Sequence, residues 1–115
     1  MVLLDSNIII YLSQNIIDLD DIADDDSILT VSVITYIEVL GYPFSDETQR
    51  AFIKKLFSFL EIIYIDESIA QKTIELRENN KIKLPDAIIC ATALRAKAKL
   101  ITNDERLRNL YSKYS

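Results

Sequence analysis

Four carboxylates stand at places where an acid has to be explained. Asp5 ends the apolar run MVLL, and Glu38 lies inside the apolar stretch SVITYIEVL. Asp86 precedes eight uncharged residues, AIICATAL, and Asp104 follows the apolar run that closes at LIT. Singly, each has an ordinary use. Asp5 and Asp104 suit helix N-caps, Glu38 borders a packing stripe, and Asp86 in a first helical turn offsets the macrodipole by about 0.3–1 kcal/mol. Together they imply more. Two carboxylates about 4 Å apart repel by roughly 4 kcal/mol at an effective dielectric near 20, so four that meet require a compensating cation. A hard divalent ion takes oxygen ligands, binds one or two carboxylates directly and leaves others to hold its waters. Such an ion acidifies water and neutralises charge on a phosphodiester, which permits hydrolysis without histidine.

The composition narrows the chemistry to this kind. The chain of 115 residues has no histidine and one cysteine, Cys90, so a histidine base, a zinc site of the usual ligands and an internal disulfide are excluded. Half of the residues are hydrophobic, with one glycine and two prolines, which implies a single domain over 1–115 with a substantial core and no linker. No apolar run approaches a membrane span, and the start lacks the features of a signal peptide. The expected location is the cytoplasm. The net charge of −5 conceals an asymmetry: all 13 basic residues fall from Arg50 onward, so an acidic pocket beside a basic second half is possible.

The elements that must position these acids follow from local pattern. Val2 to Leu4 is a strand apolar on both faces, and Asp5-Ser6-Asn7 starts a helix through Leu12. Asp18 to Asp26, six aspartates in nine residues, reads as a solvated loop or short helix. Ser27 to Val31 is a second strand, with Ser32 capping a helix whose packing stripe is Val33, Ile34, Ile37 and Leu40, ended by Gly41 and Pro43. Ser45 or Asp46 opens a helix to about Leu60 with Phe52, Ile53, Leu56, Phe57 and Leu60 on one side. Ile62 to Ile65 is a third strand. Asp66 caps a helix to about Asn79, with Ile69, Ala70, Thr73, Ile74 and Arg77 inward. Leu84-Pro85-Asp86 begins a helix apolar nearly all round, which demands burial. Ala98 to Thr102 is a fourth strand, and Asp104 starts a last helix holding Leu107 and Leu110. Alternating strands and helices without a hairpin signal imply parallel strands, right-handed crossovers and helices on both faces. Sites in such sheets form beyond the carboxyl ends of the strands, where strand order reverses; Asp5 and Asp104 belong at that edge.

Four segments in order, LLDSNIIIYL, SVITYIEVL, LPDAIICATAL and LITNDERL, resemble the PIN domain family, most of all its small VapC-type toxin ribonucleases, over nearly the whole chain. The resemblance implies a three-layer α/β/α sandwich around a parallel sheet of about four to five strands. It implies a metal-dependent endoribonuclease of a type II toxin–antitoxin pair, with Mg²⁺ or Mn²⁺ as cofactor, RNA as substrate, a cognate antitoxin and a homodimer. The family's acidic positions fall on Asp5, Glu38, Asp86 and Asp104, and its polar residue before the last acid on Thr102. Asp5, Asp86 and Asp104 are the expected metal holders, with Glu38 further out or on a second ion. The chain departs from the pattern in lacking an evident fifth strand and in a shortened middle region.

Ser6, Asn7, Thr102 and Asn103 are candidates to orient the acids and the scissile phosphate; capping and turn chemistry explain them equally. Lys81, Lys83, Arg95, Lys97 and Lys99 are candidates for RNA backbone contact, and an exposed helix face is their plain alternative. Tyr11, Phe44, Phe59 and Tyr64 are candidates for interfaces, with ordinary core packing as the favoured alternative. A haloacid-dehalogenase phosphatase would need an acid at position 7, which is Asn, and a receiver domain needs an acid pair that the single Asp5 does not provide. The remaining rival is a catalytically inactive PIN-like module that acts through protein contacts.

Overall fold

The computed structural model describes residues 1–44 and 46–115; the alternative helix start at Ser45 lies outside them. In chain order the elements are β1 (Val2–Leu4), α1 (Ser6–Ser13), one tight helical turn (Leu19–Asp21), β2 (Leu29–Ser32), α2 (Val33–Leu40), α3 (Glu47–Ser58), β3 (Glu61–Ile63), α4 (Glu67–Asn79), α5 (Leu84–Ala96), β4 (Lys99–Ile101) and α6 (Glu105–Tyr114). The four strands form one parallel sheet in the order β3-β2-β1-β4. Successive strands step outward from β1 to β3, and β4 then returns to the other side of β1. That reversal places the topological switch point between β1 and β4, whose register pairs Leu4 with Ile101.

The pleat sorts the core. Val2 and Leu4 point into a cluster with Ile8, Ile9, Leu12, Ile53, Leu56 and Phe57 from α1 and α3. Leu3 points the other way, among Ile69, Leu76, Ile89, Ala91 and Leu107 from α4, α5 and α6. A strand covered on both faces has to be apolar throughout, which is why β1 shows no alternation. α5 is buried from Ala87 to Ala93, as an uncharged run must be. Helix starts are set by side chains: Asp5, Ser32, Asp46, Asp66 and Asp104 each accept an N–H of the helix that follows.

Three helix faces differ from the sequence expectation. In α2 the buried positions are Thr35 and Val39, while Ile37 is 58% exposed. In α3 Phe52 faces solvent, and in α4 Leu76 takes the inner position while Ile74 and Arg77 are exposed. Each helix carries apolar residues at competing spacings, and the packing of the neighbouring layer chose between them.

The sheet ends at β4 without a fifth strand among the described residues. Lys99 and Ile101 use their N–H and C=O toward β1, so alternate residues face outward. Two of those outward carbonyls are occupied from α6: Tyr111 Oη donates to Ala98 O at 2.8 Å, and Arg108 Nη2 donates to Thr102 O at 2.9 Å. Side chains thus close part of an edge that would otherwise invite strand pairing.

Candidate active site at the β1–β4 switch point

β1 and β4 end side by side, and the residues that follow each strand meet. Asp5 is only 6% exposed. Its Oδ1 accepts the Ser6 N–H at 2.7 Å and its Oδ2 accepts the Thr102 hydroxyl at 2.6 Å. Thr102 Oγ1 in turn accepts the Asp104 N–H at 3.0 Å, so one hydroxyl joins the two acids. The Asp5 N–H donates to Ile101 O at 3.0 Å, which continues the strand ladder into the site. Asp104 caps α6 through Oδ1, which accepts the Arg106 and Leu107 N–H groups at 2.9 and 3.2 Å. Capping and site membership are therefore compatible uses of one carboxylate.

The other two acids arrive from helices. Asp86 sits in the first turn of α5, with proline beside it fixing the start. Glu38, on α2, is reached through Ser6, whose hydroxyl lies 3.3 Å from Glu38 Oε1 and 3.4 Å from Thr35 Oγ1. Burial pushes the Asp86 carboxyl above the ordinary range, aided by the charges of Asp104 and Asp5 and opposed by Lys83 and Arg106. Burial likewise raises Glu38; the Ser6 hydrogen bond opposes it, and Asp5 and Asp86 add repulsion. Glu38 thus senses the charges of Asp5 and Asp86, and Asp86 those of Asp104 and Asp5. Among the described residues, however, no three His, Cys, Asp or Glu side chains stand close enough to grip one ion without water.

A carboxyl whose folded pKa lies above its unfolded value holds its proton more tightly in the native state, so stability declines as pH rises from the ordinary carboxylate range through the raised values. Without divalent ions, Asp86→Asn and Glu38→Gln should therefore raise the melting temperature at pH 7 and do so less at pH 4. Thermal denaturation in EDTA at the two pH values checks this; a lower melting temperature for both variants at pH 7 would contradict the repulsion.

Of the orienting candidates, Ser6 and Thr102 contact acids directly. Asn7 and Asn103 contact each other instead, Asn103 N–H donating to Asn7 Oδ1 at 3.4 Å, and Asn103 Nδ2 donates to the Tyr11 hydroxyl at 3.0 Å. They pin the β4–α6 turn against α1. Thr35 and Arg108 were not legible in the sequence as contributors. Thr35 is fully buried behind Ser6, and Arg108 holds the carbonyl of Thr102. The one threonine inside VITYIEVL is the one hint the sequence offered for Thr35. Cys90 is no alternative nucleophile, since burial in the α4–α5 layer pushes its thiol up to about 12.

The chain matches the family model described as PIN domain over residues 2–113. It belongs to the PIN domain family. Solved structures agree: a toxin–antitoxin complex from Klebsiella pneumoniae is 33% identical, with 90% of this chain and 87% of that one covered and a TM-score of 0.72. VapBC-1 from nontypeable Haemophilus influenzae is 26% identical, covering 100% and 96%, with a TM-score of 0.79. VapBC2 from Rickettsia felis, bound to a DNA fragment from its promoter, is 22% identical with a TM-score of 0.81 over 96% and 93%, a likeness of fold. Two of these solved neighbours are VapBC structures, and the three-layer α/β/α arrangement is that of the PIN domain. No curated protein matched the sequence significantly. Among the described residues no helix is long and apolar enough to cross a membrane.

Proposed function

We propose that this PIN domain is a metal-dependent endoribonuclease and the toxin of a type II toxin–antitoxin pair. The observation that supports it best is the gathering of Asp5, Glu38, Asp86 and Asp104 at the switch point, where burial, with repulsion added, raises Glu38 and Asp86. The donor set is oxygen only, as a hard divalent cation requires, and its spread suits an ion that retains several waters. Asp5, Asp86 and Asp104 would hold Mg²⁺ or Mn²⁺ directly or through water, with Glu38 outside them or at a second ion. When bound, the ion supplies charge neutralisation at the phosphodiester and acidifies water.

The chain's own residues supply position and a proton acceptor. Thr102 and Ser6 fix the Asp5 carboxylate. One of the four carboxylates takes the proton of the attacking water. Water oxygen bonds to phosphorus in line, the bond to the 3′ oxygen breaks and that oxygen takes a proton from solvent, and the products are a 5′ phosphate and a 3′ hydroxyl. An antitoxin partner is proposed from the likeness to toxin–antitoxin complexes, and with it a homodimer and a cytoplasmic location. A groove of about 620 Å³ beside Glu38, lined by Ile10, Gln14, Tyr42 and Phe44 among others, offers such a partner an apolar seat next to the acids.

Labelled RNA incubated with Mg²⁺, Mn²⁺ or EDTA tests the reading. Cleavage is expected with either ion and not in EDTA; equal cleavage in EDTA would sink the metal role. The separation of the acids favours one second reading, an inactive PIN-like binding module. Calorimetry with Mn²⁺ separates the two: heat of binding with RNA left intact would leave the inactive module standing.

A further inference from the structure

A cleft of about 410 Å³ opens beside the acids, between residues 80–83, which join α4 to α5, and α6. Asp86 and Asp104 are among its lining residues, and so are four cations, Lys81, Lys83, Arg106 and Lys113. All four are exposed. Among the described residues the single ion pair is Lys72 with Glu75 at 3.3 Å, so none of the four has a carboxylate within salt-bridge distance. Neutral acceptors hold two of them in place: Arg106 Nη2 donates to Lys81 O at 3.4 Å, and Lys113 Nζ donates to Asn80 Oδ1 at 3.4 Å. Tethering to a neutral oxygen fixes position and leaves the positive charge available.

The charge is one-sided. The groove beside Glu38 contains no cation in its lining. Arg95, Lys97 and Lys99 lie at the end of α5 and the start of β4, at the amino ends of the strands, whereas Asp5 follows the carboxyl end of β1. A polyanion approaching four acids needs cations close by to offset the repulsion, and only the α5–α6 side supplies them.

We propose that this cleft is a phosphate subsite for the RNA backbone adjoining the cut, with Lys81, Lys83, Arg106 and Lys113 holding phosphates next to the scissile one. The proposal rests on the reading of the four acids as a nuclease centre, and it assigns the direction in which the strand leaves that centre. Lys81 and Lys83 act here with two α6 residues, while Arg95, Lys97 and Lys99 take no part.

The test is binding of a fluorescein-labelled single-stranded RNA oligonucleotide in EDTA, read by anisotropy over a range of salt, so that it does not depend on turnover. Wild-type affinity should fall steeply with salt. The double variant Lys83→Gln/Arg106→Gln should bind at least about 10-fold more weakly at low salt, and its salt slope should shrink by about 1.4, at about 0.7 per lost phosphate contact on a single strand. Arg95→Gln/Lys99→Gln should leave both unchanged. The proposal is overturned by absence of RNA binding to the wild type, by an unaltered slope in the first variant, or by equal losses in the second. Equally tight, equally variant-sensitive binding of polyglutamate would also overturn it, by assigning the cleft to an acidic peptide. Failure of cleavage with Mg²⁺ or Mn²⁺ while this binding persists would instead count against the nuclease reading alone.

Discussion

Asp5→Asn protein should fold, melt no lower than the wild type in EDTA, and lose RNA cleavage by more than the roughly 10–100-fold typical of losing an outer partner in a metal site. The three parts have separate causes. Asn has the shape of Asp, and its carbonyl oxygen can keep the Ser6 N–H bond now made at 2.7 Å. The exchange removes a charge that raises both Glu38 and Asp86, so the native state is relieved of repulsion. That relief offsets the poorer match between an amide and the Thr102 hydroxyl. Activity is lost because the carboxylate at the centre of the switch point is gone. Gel analysis of RNA products with Mn²⁺, beside a melting curve in EDTA, reads both quantities on one preparation. Cleavage within tenfold of wild type would remove Asp5 from the mechanism, whatever the melting temperature.

Stability and activity moving in opposite directions is the signature that separates a functional acid from a capping one. Replacing an N-cap aspartate by alanine costs about 0.5–2 kcal/mol, whereas asparagine caps about as well, and the Asp5 carboxylate does cap α1. A capping role alone predicts that Asp5→Asn leaves both stability and chemistry unchanged. The sequence left Asp5 balanced between these uses, since Ser6 and Asn7 could also cap. The fold adds the Thr102 hydroxyl, which joins Asp5 to Asp104 at the edge where β1 and β4 end.

The strands and the helix starts were legible because their signals have no competitor. Four short apolar runs, each ending on a polar residue, admit one reading when no hairpin turn separates them. Helix faces were less legible for a physical reason. VITYIEVL is apolar at almost every position, so periodicity lacks contrast, and α2 follows β2 without an intervening residue. The strand therefore sets the helix's rotation, burying Thr35 completely and leaving Ile37 outside. In α4, Ile74 and Leu76 compete for the inner face, and the uncharged surface of α5 takes Leu76. The basic cleft shows the same limit at longer range. Lys81 and Lys83 are visible as a charged turn before Asp86, but their union with Arg106 and Lys113 depends on α6 crossing beside that turn.

The Thr102 hydroxyl carries the second large expected effect. It donates to Asp5 Oδ2 at 2.6 Å and accepts the Asp104 N–H at 3.0 Å, while Arg108 holds the Thr102 carbonyl from outside. Thr102→Val keeps the branched shape and removes both hydrogen bonds, so it is not a neutral exchange. A buried carboxylate oxygen loses its donor and a backbone N–H its acceptor, at a cost of about 1–3 kcal/mol or more. Asp5 and Asp104 also lose the atom that fixes their separation, and cleavage should fall by about 10–100-fold. Thr102→Ser restores the hydroxyl with one methyl fewer, and should recover most of the activity while remaining somewhat less stable. Single-turnover cleavage rates and denaturant melts of the two variants decide the matter. If Val and Ser lose the same activity, the methyl rather than the hydroxyl matters, and the link from Asp5 through Thr102 to Asp104 is packing without a part in positioning the acids.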